Sequence, residues 1–197
     1  MYKQTRSIVL ASSSPRRKAF LERYRLEFKV ITSSLEEKIK EGELPVEYAS
    51  RTAREKAESV VSKCSKEEII ISADTIVVFG NKILGKPRSS SDSFAMLKQL
   101  NGNTHDVITS YVVYDCYSEE KLQRSISTQV NFLRHPDNLL KFYAESPEPR
   151  DKAGGYSIQG IGTFLIASIN GSYNNVVGLP IEILLNDLVE KQYLLIA

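Results

Sequence analysis

The chain has 197 residues, 42% of them hydrophobic, which is enough for one substantial core or for two small lobes sharing one. A net charge of +2 is too balanced for a dedicated nucleic-acid binder, which carries a concentrated basic stripe. Cys64 and Cys116 stand in no CxxC or Cys/His spacing, so a zinc site or disulfide framework is excluded and a reducing cytoplasm is the expected compartment. The apolar run Ile8–Ala11 is far too short for a signal peptide, and no stretch reaches the length of a membrane span.

Strand and helix patterns alternate, which predicts an α/β layer fold. Ser7–Ala11 reads as a buried strand and Pro15–Tyr24 as a helix with proline at its first position. A second strand covers Phe28–Ile31. Pro45–Lys63 is the longest helix, with Ala49, Ala53, Ala57 and Val60 as its apolar stripe. Two β-branched runs flank Ala73-Asp74, and Gly80-Asn81 supplies a turn. Asp92–Leu100 is a short helix stopped by Asn101-Gly102. His105–Asp115 and Leu122–Leu133 are long strands, and Pro136–Glu145 is a helix. "ESPEPRDKAGGYSIQGIG" reads as irregular. Thr163–Ile169, Asn170-Gly171 and Tyr173–Val177 predict a hairpin, and Ile181–Lys191 a final helix. No linker separates independent domains, so residues 1–197 are expected to form a single domain, which pairing between the middle strands and the rest could still split into two lobes around a cleft.

Four stretches carry the polar groups that chemistry would need. Ser12-Ser13-Ser14-Pro15-Arg16-Arg17 places hydroxyls and guanidinium groups at a helix N-terminus, the parts of a phosphate cradle. Its plainer reading is serine capping with solvated arginines. Asp74 lies between two apolar runs, where a carboxylate is costly unless it meets a cation, a metal or a donor. Glu36-Glu37 could hold Mg²⁺ together with Asp74, although "LEEKIKEGE" also looks like charged surface. Gly154 and Gly155 let backbone approach a ligand, and Gln159 can both donate to and accept from the edge of a base. "GNKILGKP" is not a Walker A loop, because Pro87 stands where Ser or Thr must ligate Mg²⁺; Lys86 stays a candidate phosphate contact. His105 and His135 lack partners at nucleophile or metal spacing, and no G-x-S-x-G elbow is present.

Taken in order, "LASSSPRR", "SSLEEK", "AREKA", "SADTIVV", "LGKP", "NGNTHDVIT", "DKAGGYSIQG" and "NNVVGLP" resemble the Maf family of nucleoside triphosphate pyrophosphatases over nearly the whole chain. The resemblance implies an α/β fold similar to that of the inosine triphosphate pyrophosphatases, with a strongly curved mixed sheet flanked by helices. It also implies a homodimer, a cytoplasmic setting, and no nucleic-acid or membrane partner. Ser12, Ser14, Arg17, Lys56 and Gln159 map to substrate binding, and Arg16, Lys86, Glu36 and Asp74 to catalysis. Glu36 and Asp74 map to Mg²⁺ or Mn²⁺. Asp74 is open to either role, metal ligand or base for the attacking water. The "DKAGxYxIQG" loop is similar to the branch acting on dTTP and UTP, with Ser157 where glycine is common. Other readings are a pyrophosphatase for a modified nucleotide such as 7-methyl-GTP, or a non-catalytic nucleotide-sensing regulator of cell division.

Overall fold

The computed structural model describes residues 2–196. The elements run β1 (Tyr2–Gln4), β2 (Ser7–Leu10), α1 (Pro15–Arg23), β3 (Phe28–Val30), α2 (Pro45–Glu58), β4 (Glu68–Phe79), β5 (Lys82–Leu84) and α3 (Ser90–Leu100). They continue with β6 (Thr104–Asp115), β7 (Lys121–Phe132), α4 (Asp137–Glu145), β8 (Ile166–Asn170), α5 (Tyr173–Val177), α6 (Ile181–Glu190) and β9 (Leu194–Ile196). This is the expected α/β class with a mixed sheet. No described helix is long and apolar enough to cross a membrane. The chain divides into two compact units: Met1–Asp74, Thr109–Ile126 and Gly178–Ala197 form the first, Thr75–Ile108 and Ser127–Val177 the second. β4, β6 and β7 each give one part to each unit.

In the first unit the hydrogen-bonded strand order is β3-β2-β4-β6-β7. β2 runs parallel to both neighbours, with Leu10 opposite Val30 on one side and Ile71 on the other. Nearly every residue of β4 is buried, as a central strand covered on both faces requires. α2 starts with Pro45 at its first position, and the Leu44 N–H donates to Glu47 Oε2 at 3.1 Å. Its stripe of Ala49, Ala53 and Ala57 is wholly buried, and small side chains let the helix lie close to the sheet. Ser72 Oγ, on β4, donates to the Ala53 carbonyl at 2.6 Å across that approach. Ala53 and Ala57 pack with Val9, Ile70 and Val112. The helix is shorter than its sequence pattern predicts. Ser59 Oγ donates to the Lys56 carbonyl at 2.8 Å, and Val61–Lys63 continues only as a 3-10 turn. The β1–β9 pair, Gln4 opposite Leu194, is too short to have been legible.

The second unit has the order β4-β6-β7-β8, with β5 antiparallel to β4. α3 and α4 bring Leu97, Leu100, Leu140 and Tyr143 onto Val77, Val107, Val130 and Leu165. The predicted hairpin is corrected here: β8 pairs antiparallel with β7, and Tyr173–Val177 is a helical turn. Ser172 Oγ caps that turn by accepting the Asn175 N–H at 3.0 Å. The buried Asn175 side chain donates to the Val107 carbonyl and to Thr128 Oγ1, each at 2.9 Å. These bonds override the β propensity of the Val-Val pair.

His105 is core, 2% exposed, in an edge-to-face trio with Phe132 and Tyr156, and its Nε2 lies 2.8 Å from the Tyr156 hydroxyl. Burial pushes its pKa down to about 4. The folded protein therefore keeps His105 neutral at pH values where an unfolded chain would protonate it. Stability should rise between about pH 4 and 6.5, by up to about 3 kcal/mol, and then level off. His105→Phe should flatten that part of the profile in thermal unfolding from pH 4.5 to 7. An equal difference from wild type at both ends would contradict the assignment.

Candidate active site

The loop after β2 is held from inside. β2 and β4 are parallel, so the chain leaving Leu10 runs beside the middle of β4, and the Ala11 N–H donates to the Ile71 carbonyl at 2.8 Å. Arg17, in the first turns of α1, is buried and reaches under this loop. Its Nε donates to the Gly178 carbonyl at 2.8 Å, and its Nη1 to the Ala73 carbonyl at 2.8 Å and to Ser12 Oγ at 3.2 Å. Burial lowers the Arg17 pKa, and the charge of Asp74 partly opposes that. Ser12 Oγ also accepts the Ser14 N–H at 3.2 Å. Ser14 is the N-cap of α1 and makes no side-chain capping bond, so its hydroxyl is not spent on the helix. Arg17 thus braces the loop, while Arg16 sits half-buried one residue earlier.

Lys56 is the centre of the site in the first unit. Tyr48, Thr52 and Lys56 follow one another at i, i+4 spacing along α2. Lys56 Nζ lies 2.6 Å from Asp74 Oδ1 and 2.7 Å from Glu37 Oε1. Asp74 is buried in mid-strand, and its second oxygen, Oδ2, is buried with no hydrogen-bond partner among the described residues. An unspent carboxylate oxygen in a closed setting is costly and marks a position prepared for something else. The Tyr48 phenol shares the same space. Burial, reinforced by the charges of Asp74 and Glu37, pushes its pKa up to about 12, so it stays protonated.

The carboxylate brought to Lys56 is Glu37, and Glu36 lies elsewhere. Glu36 is exposed and pairs with Lys38 at 2.9 Å. The segment after β3 is extended and alternates: Ile31, Ser33 and Leu35 are half-buried, while Thr32, Ser34 and Glu36 are exposed. The alternation ends there, and Glu37, itself exposed, is brought to Lys56 by the ion pair and not by burial.

Lys86 and Gln159 belong to the second unit, and both are exposed. Their loops are tied together, because the Gly154 N–H donates to the Gly85 carbonyl at 3.0 Å. Gly154 has φ +70°, and a Cβ there would sit 2.9 Å from Val77 Cγ1, so both conformation and space demand glycine. Ser157 Oγ accepts the Gln159 N–H at 3.1 Å, and the Ser157 N–H donates to the Tyr143 hydroxyl at 3.0 Å. Glu148, missed in the sequence, organises this loop. Its oxygens accept the Ile161 and Gly162 N–H groups at 2.9 and 2.8 Å and the Tyr143 hydroxyl at 2.8 Å.

The structure therefore shows a mixed α/β protein with a braced serine loop at the start of α1 and a half-buried Lys56 joined to buried Asp74 and exposed Glu37. A HAM1 protein from Coxiella burnetii shares this fold, with a TM-score of 0.54 at 16% identity, over 93% of this chain and 98% of that one. Residues 7–191 match the Maf-like protein family, and the chain belongs to it. It is 44% identical to a dTTP/UTP pyrophosphatase of Ruminiclostridium cellulolyticum, over 94% of this chain and 96% of that protein. It is likewise 44% identical to a dTTP/UTP pyrophosphatase of Pyrococcus furiosus, over 91% of this chain and 93% of that one.

Proposed function

We propose that the protein is a nucleoside triphosphate pyrophosphatase, hydrolysing dTTP and UTP to the monophosphate and pyrophosphate and so clearing the nucleotide pool. The observation that carries this reading is the pairing of Asp74 and Glu37 on one lysine with Asp74 Oδ2 unspent. A site that only held an anion would need cations and no buried carboxylates. The names of its relatives support the same substrate class.

Two carboxylates, one with a buried free oxygen, fit Mg²⁺ or Mn²⁺, hard cations that take few protein oxygens and keep several waters. Among the described residues no group of three His, Cys, Asp or Glu side chains gathers around one point, so water and substrate oxygens would complete the shell. The ion, when bound, would neutralise charge on the phosphate oxygens. The chain's own groups do the rest. Ser12, Ser14 and the N–H groups at the start of α1 donate to the triphosphate, and Arg16, Lys56 and Lys86 offset its charge. Arg17 holds the loop in shape. Water attacks the α-phosphorus in line beside Asp74, which serves either as ligand of the ion or as acceptor of the water's proton, and pyrophosphate leaves. Gln159 reads the pyrimidine edge.

In this reading residues 1–197 form one domain of two lobes, since β4, β6 and β7 run unbroken from one unit into the other. The protein acts as a homodimer in the cytoplasm, a compartment consistent with free Cys64 and Cys116. A panel of ordinary and modified triphosphates, assayed for pyrophosphate with Mg²⁺ and with EDTA, tests the assignment. Metal-dependent release from dTTP and UTP is expected, with Gln159→Ala lowering those two rates at least about tenfold more than purine rates. Turnover of 7-methyl-GTP alone, or of no nucleotide, would overturn it.

A further inference from the structure

The segment carrying Glu37 has no secondary structure of its own. Between β3 and α2 the chain is extended or turning, and such a stretch holds one geometry only if something outside it supplies the bonds. α2 supplies them in antiparallel order. Ser59 Oγ meets Ser33 Oγ at 2.8 Å, Lys56 meets Glu37 at 2.7 Å, and Arg51 meets Lys38 and Glu43. The Arg51 contacts are the most extensive. Its Nε and Nη2 grip the two Glu43 oxygens at 2.6 and 2.7 Å, and Nη2 also donates to the Lys38 carbonyl at 2.9 Å. Nη1 is anchored on Glu55 at 2.9 Å, and the guanidinium carbon lies 5.5 Å from the centre of the Tyr48 ring. Glu43 in turn accepts the Lys40 N–H at 3.0 Å, closing the turn after Glu37.

We propose that Arg51 is a positioning residue, which holds the loop through the Lys38 carbonyl and Glu43 so that Glu37 stays on Lys56 beside Asp74. The Lys38 carbonyl is one residue past Glu37, so releasing it frees the backbone that aims the carboxylate. Apart from Glu55, the hydrogen-bond partners of Arg51 among the described residues lie in the loop and none in the core. The hydrogen bond to Arg51, outweighing burial, holds the Glu43 pKa down to about 2, which keeps the grip ionised throughout any ordinary assay range. The proposal rests on the pyrophosphatase reading for its rate effects, though not for its effect on the loop.

The test is a double-mutant cycle on UTP hydrolysis with wild type, Arg51→Met, Glu37→Gln and the double variant. Methionine keeps an apolar stem over Tyr48. Arg51→Met should lower kcat about 10–100-fold with KM changed less than about threefold, and should cost less than about twofold further in the Glu37→Gln background. Arg51→Lys should not rescue, because one ammonium cannot replace a fork aimed at three acceptors. If Arg51→Met does not fold, Glu43→Gln should show the same dependence on Glu37. Amide hydrogen exchange across residues 33–43 should rise in either variant. Equal losses in both backgrounds, full rescue by lysine, or unchanged exchange would each overturn the proposal. Absence of UTP turnover in wild type would sink the pyrophosphatase reading instead, and the exchange measurement would then decide the role of Arg51 alone.

Discussion

Asp74→Asn is expected to lower kcat for UTP by at least about a hundredfold while the protein unfolds close to the wild-type temperature. The amide keeps an oxygen for Lys56, which also retains Glu37 at 2.7 Å, so the half-buried ammonium is not stranded. What the substitution removes is the charge and basicity of Oδ2, the oxygen with no partner of its own. A purely structural Asp74 would behave in the opposite way, with turnover preserved and thermal stability lost. Measuring kcat and the unfolding midpoint on the same preparation separates the two.

Asp187→Ala should destabilise the protein by about 1–3 kcal/mol, the cost of leaving a buried donor without its acceptor, since the exposed Arg124 can return to water. Asp187 lies wholly buried on the apolar face of α6. Arg124 grips both its oxygens, Nη2 to Oδ1 and Nε to Oδ2 each at 2.7 Å, and the buried Tyr111 hydroxyl donates to Oδ2. Burial alone would push the Asp187 pKa up, and the bonds from Arg124 and Tyr111 outweigh it and leave it lowered. Its contribution is therefore complete at neutral pH and is lost as pH falls through the lowered value. Alanine would leave the Tyr111 hydroxyl buried without an acceptor. Urea unfolding at pH 7 measures the loss; a change below about 1 kcal/mol would mean that the network is neutral to stability.

The helices and long strands were legible because each carries an uninterrupted period, as in the alanine stripe of α2 and the β-branched runs on either side of Asp74. The Ser172 cap and the terminal strand pair were not. Ser172 turned a Val-Val segment into a helical turn through one hydroxyl, and β1 and β9 have three residues each. In the candidate site, Lys56 and Asp74 were singled out separately, and the structure joins them in one ion pair. Which of Glu36 and Glu37 meets Lys56 was not legible, because adjacent carboxylates are chemically identical and only the long-range pairing with Lys56 distinguishes them. Arg124, on β7, finds its partner Asp187 sixty-three residues away, a pairing that no local pattern shows. Arg51, Glu43 and Glu148 escaped notice because ordinary surface charge and loop-building charge have the same composition, and long-range pairing alone separates them.

The most direct measurement is hydrolysis of UTP with Mg²⁺ in ¹⁸O-labelled water, with products resolved by mass spectrometry. Attack at the α-phosphorus predicts UMP carrying one ¹⁸O and unlabelled pyrophosphate in equal amounts. Label in the pyrophosphate, release of UDP and inorganic phosphate, or no turnover at all would contradict the account.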